Sequence, residues 1–483
     1  MSSPSPLDPA ALTGDQRAAA SGFAAWLAEP PRGEPFVLSG YAGTGKTFLS
    51  MRLLALAEAA GLCWTVVAPT HKAVGVLRSH LQQAGLRATW FPSTIHRLLR
   101  LKLKRQGDQE RCEETAQTAG CLEHLGLVLI DEASMVDSSL LEITLRCAHP
   151  FATRLVFVGD PAQLPPVGEP RSPVFALARS RRAALTQVVR HQGPVLRLAS
   201  GIRSGDLPCH RPPPLPPVCT AAGRVAALPR SAWLEAAQEA LRRSAETDNP
   251  DLARILCYTN RSLEQLVPIA RRALHGTMAD QLPVLPGEVL ITRAAVMAPA
   301  CREGAEAAEE PDMVLGSNRE VVVRDVTPER CDLAGFGVGG EPPLIDTLSA
   351  SVDTGEALLT LRLLPPIGSM ARQQLEQVLQ RLRTQAREAG RQDGRPLWRQ
   401  FFVLRDAFAS LGPAAVLSVH RSQGSSFGEV FVDADVFWPR ELELRRQLVY
   451  VAVSRARHGV TLVAGPGHES QQSHWHDWLV DRA

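Results

Sequence analysis

Lysine is nearly missing from this sequence: of 52 basic residues only four are lysines, Lys46, Lys72, Lys102 and Lys104. The others are arginines, the mark of a GC-rich coding sequence. Against that background, lysine at position 46 suits a place where a compact point charge must meet a phosphate. Lys102 and Lys104 carry no such implication. An excess of charge of one sign is also lacking. Fifty acidic residues balance the basic ones to a net +2, which excludes a binder held to nucleic acid by bulk charge. Any such contact has to come from a local groove. No apolar run is long enough to cross a bilayer. The opening Met1-Ser2-Ser3-Pro4-Ser5-Pro6 has neither the basic start nor the apolar core of a secretory signal. The expected location is therefore cytoplasmic, with no membrane partner. The nine cysteines are scattered without CxxC spacing, so no disulfide framework is expected. Cys209-His210 and Cys219 lack the fixed spacing of a zinc site.

What the sequence does have is Gly40-Tyr41-Ala42-Gly43-Thr44-Gly45-Lys46-Thr47, preceded by the apolar Phe36-Val37-Leu38 and followed by Phe48-Leu49-Ser50-Met51. That is strand, glycine loop, helix. Glycines at this spacing let successive backbone N–H groups point inward around phosphates, and the helix N-terminus adds partial positive charge. Lys46 then reaches the β- and γ-phosphates of a nucleotide such as ATP, and the Thr47 hydroxyl can bind Mg²⁺.

Further apolar segments read as buried parallel strands: Trp64–Ala68, Leu127–Ile130 and Leu155–Val158. Helical patterns lie between them, which predicts a doubly wound α/β sheet with ligand sites at the carboxyl ends of its strands. Thr13 is a plausible N-cap for a helix through Leu27. Residues 98–123 break the alternation and read as a short inserted hairpin. A proline-rich stretch, Leu207–Pro217, reads as a stiff connection. A second α/β set follows, with strands at Ile255–Tyr258, Ala415–Val419, Val430–Val432 and Val460–Val463. Short strands with Gly and Pro turns interrupt it and predict an inserted β domain. Residues 373–389 read as a helix.

Leu129-Ile130-Asp131-Glu132 places two carboxylates at a strand end. Asp131 would hold Mg²⁺, and Glu132 would orient or deprotonate an attacking water. Gln163, in Gly159-Asp160-Pro161-Ala162-Gln163-Leu164, is placed either as a γ-phosphate sensor or as an ordinary turn residue. Pro69-Thr70-His71-Lys72 and Thr94-Ile95-His96 carry nothing catalytic. Their hydroxyl, imidazole and ammonium groups suit contacts to a nucleic-acid backbone, or they cap helices.

These segments occur in order. With Val419-His420-Arg421-Ser422-Gln423-Gly424-Ser425-Ser426-Phe427 and Val449-Tyr450-Val451-Ala452-Val453-Ser454-Arg455-Ala456-Arg457, they resemble the motif series of superfamily 1 DNA helicases. The resemblance is closest to the 5′-to-3′ branch, superfamily 1B, with its RecD-like and phage Dda-like members. It implies two RecA-like P-loop NTPase domains, residues 1–97 with 124–187 and residues 188–295 with 409–483. It also implies a pin hairpin at 98–123 and an SH3-like β domain at 296–408. By the same resemblance Gln16 reads adenine, Gly424 lies at the nucleotide, and Arg190 and Arg455 reach the γ-phosphate from the second domain. His420 contacts the DNA strand, and Trp398 either stacks on a base or packs in the core. Implied too are single-stranded DNA and single/double-strand junctions as partners, replication or repair proteins alongside, a monomer, and Mg-ATP hydrolysis coupled to strand stepping. The chain departs from some relatives in its hairpin, which has no aromatic residue to stack at a fork. A DNA-dependent ATPase that remodels protein–DNA complexes and unwinds weakly is the alternative.

Overall fold

The computed structural model describes residues 12–31, 33–106, 109–187, 193–297, 313–339 and 343–480. The chain divides into two compact units. One comprises Met1–Lys102, Glu113–Gln265 and Val416–Ala483, the other Leu103–Cys112 and Leu266–Ala415.

The first unit holds two sheets. The strands of the first are β1 (Phe36–Gly40), β2 (Trp64–Ala68), β3 (Ser93–Thr94) and, beyond a separate two-stranded ribbon of β4 (Lys102–Gln106) and β5 (Gln109–Glu113), β6 (Leu127–Ile130), β7 (Arg154–Gly159) and β8 (Arg181–Leu185). They pair in parallel in the order β3-β2-β6-β7-β1-β8. Side chains of a strand alternate between faces, so a sheet covered on both sides needs continuous apolar runs. Along β6, Leu127 and Leu129 face one core, packed by Phe23, Leu53 and Leu77 from three helices. Val128 and Ile130 face another, packed by Leu140 and Ile143 of the helix Ser138–Ala148. The first helix, Gly14–Ala28, starts at Thr13 with a capping box: Gln16 N–H donates to Thr13 Oγ1 and Thr13 N–H to Gln16 Oε1. Within the expected insertion, only Lys102–Glu113 forms a ribbon. Cys121, Leu122 and Leu125 return to the core of the first sheet.

The second sheet contains β9 (Leu215–Thr220), β10 (Gly223–Leu228) and β11 (Ala253–Cys257). After the second unit's strands, β12 (Val289–Thr292), β13 (Val296–Met297), β14 (Met313–Leu315), β15 (Glu320–Asp332), β16 (Leu344–Asp353), β17 (Leu358–Leu363) and β18 (Leu411–Pro413), it resumes with β19 (Val416–Ser418), β20 (Phe427–Val432) and β21 (Ala456–Val463). Its order is β19-β11-β20-β21-β10-β9, parallel except for the β9–β10 edge. Trp233, from the helix Arg230–Glu246, is fully buried against it and donates its indole N–H to Thr461 O at 3.0 Å. Two mainly parallel sheets of this kind fit a pair of RecA-like domains.

The second unit is antiparallel, β17-β16-β15-β12-β18. β12 and β18 pair with each other, so the insertion opens and closes on adjacent strands. The unit accordingly runs from Leu266 to Ala415, wider than the expected 296–408. Turn signals in the sequence did not disclose that non-local pairing. The 13-residue β15 extends past the sheet core, and Cys331, Leu333 and Ile345 there meet Leu375, Leu382 and Leu404 of the helices Met370–Glu388 and Gly390–Asp406. Gly390 turns between these helices at φ 75°.

Arg271 and Glu288 form a buried pair in this unit. Nε and Nη2 donate to the two carboxylate oxygens at 2.7 and 3.1 Å, with Arg271 also bonded to Ala279 O and Leu282 O. Glu288→Ala leaves that guanidinium unpaired and is expected to destabilise the unit by about 3–5 kcal/mol, read as a lowered urea midpoint.

Candidate active site

The carboxyl ends of β1, β6 and β7 adjoin in one row, and the expected nucleotide residues follow from it. Gly40 closes β1, where an added Cβ would lie 2.7 Å from Thr44 Oγ1 and 3.0 Å from Leu185 Cβ. Gly43 and Gly45 both stand at φ 80°, a conformation that suits glycine and turns the loop into the helix Lys46–Ala59. Thr44, almost fully buried, bonds back to Tyr41 O through both N–H and Oγ1. Lys46 Nζ donates to Gly40 O at 2.7 Å and Tyr41 O at 3.0 Å, folded along the loop. Thr47 is in the first helical turn, partly exposed. Gln16 is buried beneath the loop and gives Nε2–H to Thr44 O at 3.0 Å.

Asp131 and Glu132 leave β6 together. Glu132 has φ 52°, in the left-handed region that non-glycine residues seldom enter and that concentrates at functional sites. Its N–H donates to Asp131 Oδ1 at 2.8 Å. Asp131 keeps part of its surface accessible, yet the protein packed around it, then the Glu132 carboxylate, push its pKa well above the ordinary carboxylate range; Lys46 opposes the shift. A divalent cation beside it would reverse that balance. Gln163 is 6% exposed, and its Oε1 has no hydrogen-bond partner among the described residues. A glycine loop opening a helix, a lysine, a carboxyl pair and an unpartnered amide oxygen are a donor and acceptor set that fits Mg-ATP.

Arg455 caps the helix Leu442–Ser454 and is largely buried. Its guanidinium donates to Val451 O, Ser425 O and Ser454 Oγ, so it braces the segment after Gly424. Gly424 itself, at φ 73°, approaches Thr70 and Ala73: an added Cβ would lie 3.2 Å from Ala73 Cβ. Arg190 falls outside the described residues.

The strand-facing candidates group in part. β2 and β3 pair with Ala68 opposite Thr94, which sets Pro69–Lys72 beside Thr94–His96. Thr70 and Thr94 serve as N-caps, accepting from Ala73 N and Arg97 N. Lys72 pairs with Asp251 at 3.4 Å and lies 5.0 Å from the centre of the Phe427 ring. His71 is partly buried; burial lowers the basicity of His96, with Asp137 opposing. His420, likewise made less basic by burial, follows β19 with its ring 6.0 Å from Tyr258. Trp398 is on the helix Gly390–Asp406 of the other unit, partly buried and stacked 6.1 Å from Phe402.

Sequence reasoning missed several participants. Asp15 Oδ2 accepts from Thr186 N, Thr186 Oγ1 and Gln187 N, bonds that hold its carboxyl below the ordinary range. They fix the chain just ahead of Arg190. Tyr450 accepts from Ala42 N at 2.8 Å and donates to Asp160 Oδ2 at 2.6 Å. The Arg203 guanidinium stands 3.5 Å from the centre of the Tyr41 ring. Asp160 and Tyr450 fall inside the quoted motifs, which was the available signal.

Comparison with known proteins agrees with this geometry. The AAA domain family matches residues 12–210, and the UvrD-like helicase C-terminal domain matches residues 413–463. The ATP-dependent DNA helicase dda of Enterobacteria phage T4 is 24% identical over 435 residues, 88% of this chain and 93% of that protein. The chain is similar to the RecD-like and Dda-like helicases of superfamily 1B. The ATP-dependent RecD2 DNA helicase of Deinococcus radiodurans is 35% identical over 175 residues, 36% of this chain but only 22% of RecD2. Bacteroides Pif1 bound to ssDNA has a TM-score of 0.45 against it at 15% identity, covering 94% of this chain and 92% of that one. No described helix of this chain is long and apolar enough to cross a membrane.

Proposed function

We propose that the chain is an ATP-driven translocase and helicase that moves 5′ to 3′ on single-stranded DNA. One observation carries the reading. Tyr450, from the helix that ends in Arg455, hydrogen-bonds the glycine loop itself, so the second sheet's arginine helix reaches the first sheet's nucleotide site. In this reading Lys46 and the amides of Gly40–Thr47 hold the triphosphate, and Thr47 and Asp131 hold Mg²⁺. Bound Mg²⁺ supplies charge neutralisation at the phosphates. Glu132 orients or deprotonates the attacking water, with Gln163 sensing the γ-phosphate. Arg455 exchanges its bonds to Val451 and Ser425 for phosphate contacts, and Arg190 does the same work from its own segment; planar cations stabilise charge on the transferring group. Gln16 retains a second amide hydrogen and a second lone pair for an adenine edge. Gly424, against Thr70 and Ala73, ties the nucleotide cycle to the strand loops.

Pro69, Thr70, His71, Lys72, Thr94, His96 and His420 contact the DNA backbone, and Trp398 supplies a stacking ring. Alternate grip by two domains as ATP closes and hydrolysis opens their cleft gives stepping. Partners are single-stranded DNA and its junctions, with replication or repair proteins, acting on a monomer at the cytoplasmic nucleoid. The Lys102–Glu113 ribbon takes the place of a pin, and residues 266–415 that of an SH3-like domain. A second reading, a remodelling ATPase with weak unwinding, is favoured by the absence of an aromatic in the Lys102–Glu113 ribbon.

Steady-state ATP hydrolysis with and without a single-stranded oligonucleotide tests the reading. Strong stimulation is expected, with binding that weakens as salt rises, because phosphate contacts release counterions. An unchanged rate would sink both motor readings.

A further inference from the structure

We propose that the Tyr450 hydroxyl is a positioning group that sets Gln163 according to the state of the glycine loop. The inference rests on the nucleotide-site reading above and deepens it.

A phenol has one proton to give. Tyr450 donates it to Asp160 Oδ2 at 2.6 Å, which leaves an oxygen lone pair for the Ala42 N–H at 2.8 Å. The direction of the relay is thus fixed from loop to tyrosine to aspartate. Burial, then the Asp160 carboxylate, hold the phenol well above its ordinary pKa, so it stays a donor. Both residues are shut away from solvent, Tyr450 at 2% and Asp160 at 0% exposure.

Asp160 opens the turn that carries Gln163. Its Oδ1 accepts from Ala162 N at 2.9 Å, and its carbonyl accepts from Gln163 N at 3.2 Å. The far end of the same turn is held too: Gln423 Nε2 donates to Leu164 O at 3.1 Å. The second sheet's elements therefore grip this turn on either side of Gln163, at Asp160 and at Leu164. Between these grips, Gln163 Oε1 has no partner among the described residues. An acceptor held ready but unused is what an attacking water, which can donate, would meet. Since Tyr450 also touches Ala42, a change in the loop on binding phosphate moves one end of this clamp. Tyr450 and the helix cap Arg455 are five residues apart, roughly 7.5 Å of helix rise, so they move as one piece.

The test is a double-mutant cycle on ATP hydrolysis in the presence of single-stranded DNA. Tyr450→Phe keeps the ring and removes the relay. It is expected to lower kcat about tenfold while KM for ATP stays within about threefold. In a Gln163→Ala background the same change should lower kcat by less than about twofold, because the residue through which it acts is gone. A purely structural tyrosine would cost the same factor in both backgrounds. That result, or a Tyr450→Phe kcat within about twofold of the parent, overturns the inference. Should Tyr450→Phe fail to fold by circular dichroism, Asp160→Asn breaks the relay at its other end and is expected to show the same split; normal turnover in folded Asp160→Asn overturns it as well. A parent protein that does not hydrolyse ATP refutes the functional reading, and this inference with it. A parent that does, beside an unaffected Tyr450→Phe, refutes this inference alone.

Discussion

Glu132→Gln is expected to bind ATP and single-stranded DNA like the parent and to hydrolyse ATP at least about 100-fold more slowly, the scale of a positioned general base. The geometry gives the reason. Glu132 leaves β6 at φ 52°, a backbone state disfavoured for a residue with a side chain. The neighbouring Asp131 Oδ1 accepts its N–H and helps hold that conformation. The amide replacement preserves shape and hydrogen-bonding reach but cannot take a proton from water. Single-turnover hydrolysis and calorimetric ATP titration separate the two effects. Near-parental turnover removes Glu132 from its assigned role.

Lys46→Ala acts at the binding step. The ammonium holds the carbonyls of Gly40 and Tyr41, so its loss takes away a brace on the loop and, in the proposed reading, a phosphate contact as well. A charge-assisted hydrogen bond contributes about 1.5–3 kcal/mol, and ATP affinity is expected to fall by roughly 10- to 100-fold, with turnover falling further. Lys46→Arg should not rescue it, because a planar fork does not replace a compact ammonium in this turn. Unchanged ATP affinity in Lys46→Ala would contradict the placement of the triphosphate.

The glycine loop, the strand-end carboxylates and the two α/β sheets were legible because their cause is local. Continuous apolar runs such as Leu127–Ile130 report burial on both faces, and the loop's glycines report a backbone that needs left-handed φ. What stayed hidden depends on contacts between distant residues. Ala42 and Tyr450 are 408 positions apart, and Asp15 and Thr186 are 171 apart. No spacing rule joins such pairs. The insertion boundaries escaped for the same reason, since β12 is completed by β18 far along the chain. Thr94 takes the helix-cap role that its loop already allowed, whereas two other residues were noticed for one property and show a second: Lys72 pairs with Asp251, and Arg455 braces the Ser425 carbonyl. Each has a structural bond from which a role in the cycle has to start.

Direction of travel tests the central claim most directly. Partial duplexes with either a 5′ or a 3′ single-stranded tail, supplied with Mg-ATP, report activity and polarity in one gel. Unwinding from the 5′ tail, abolished by Glu132→Gln, is the expected result. Unwinding that prefers the 3′ tail would contradict the account.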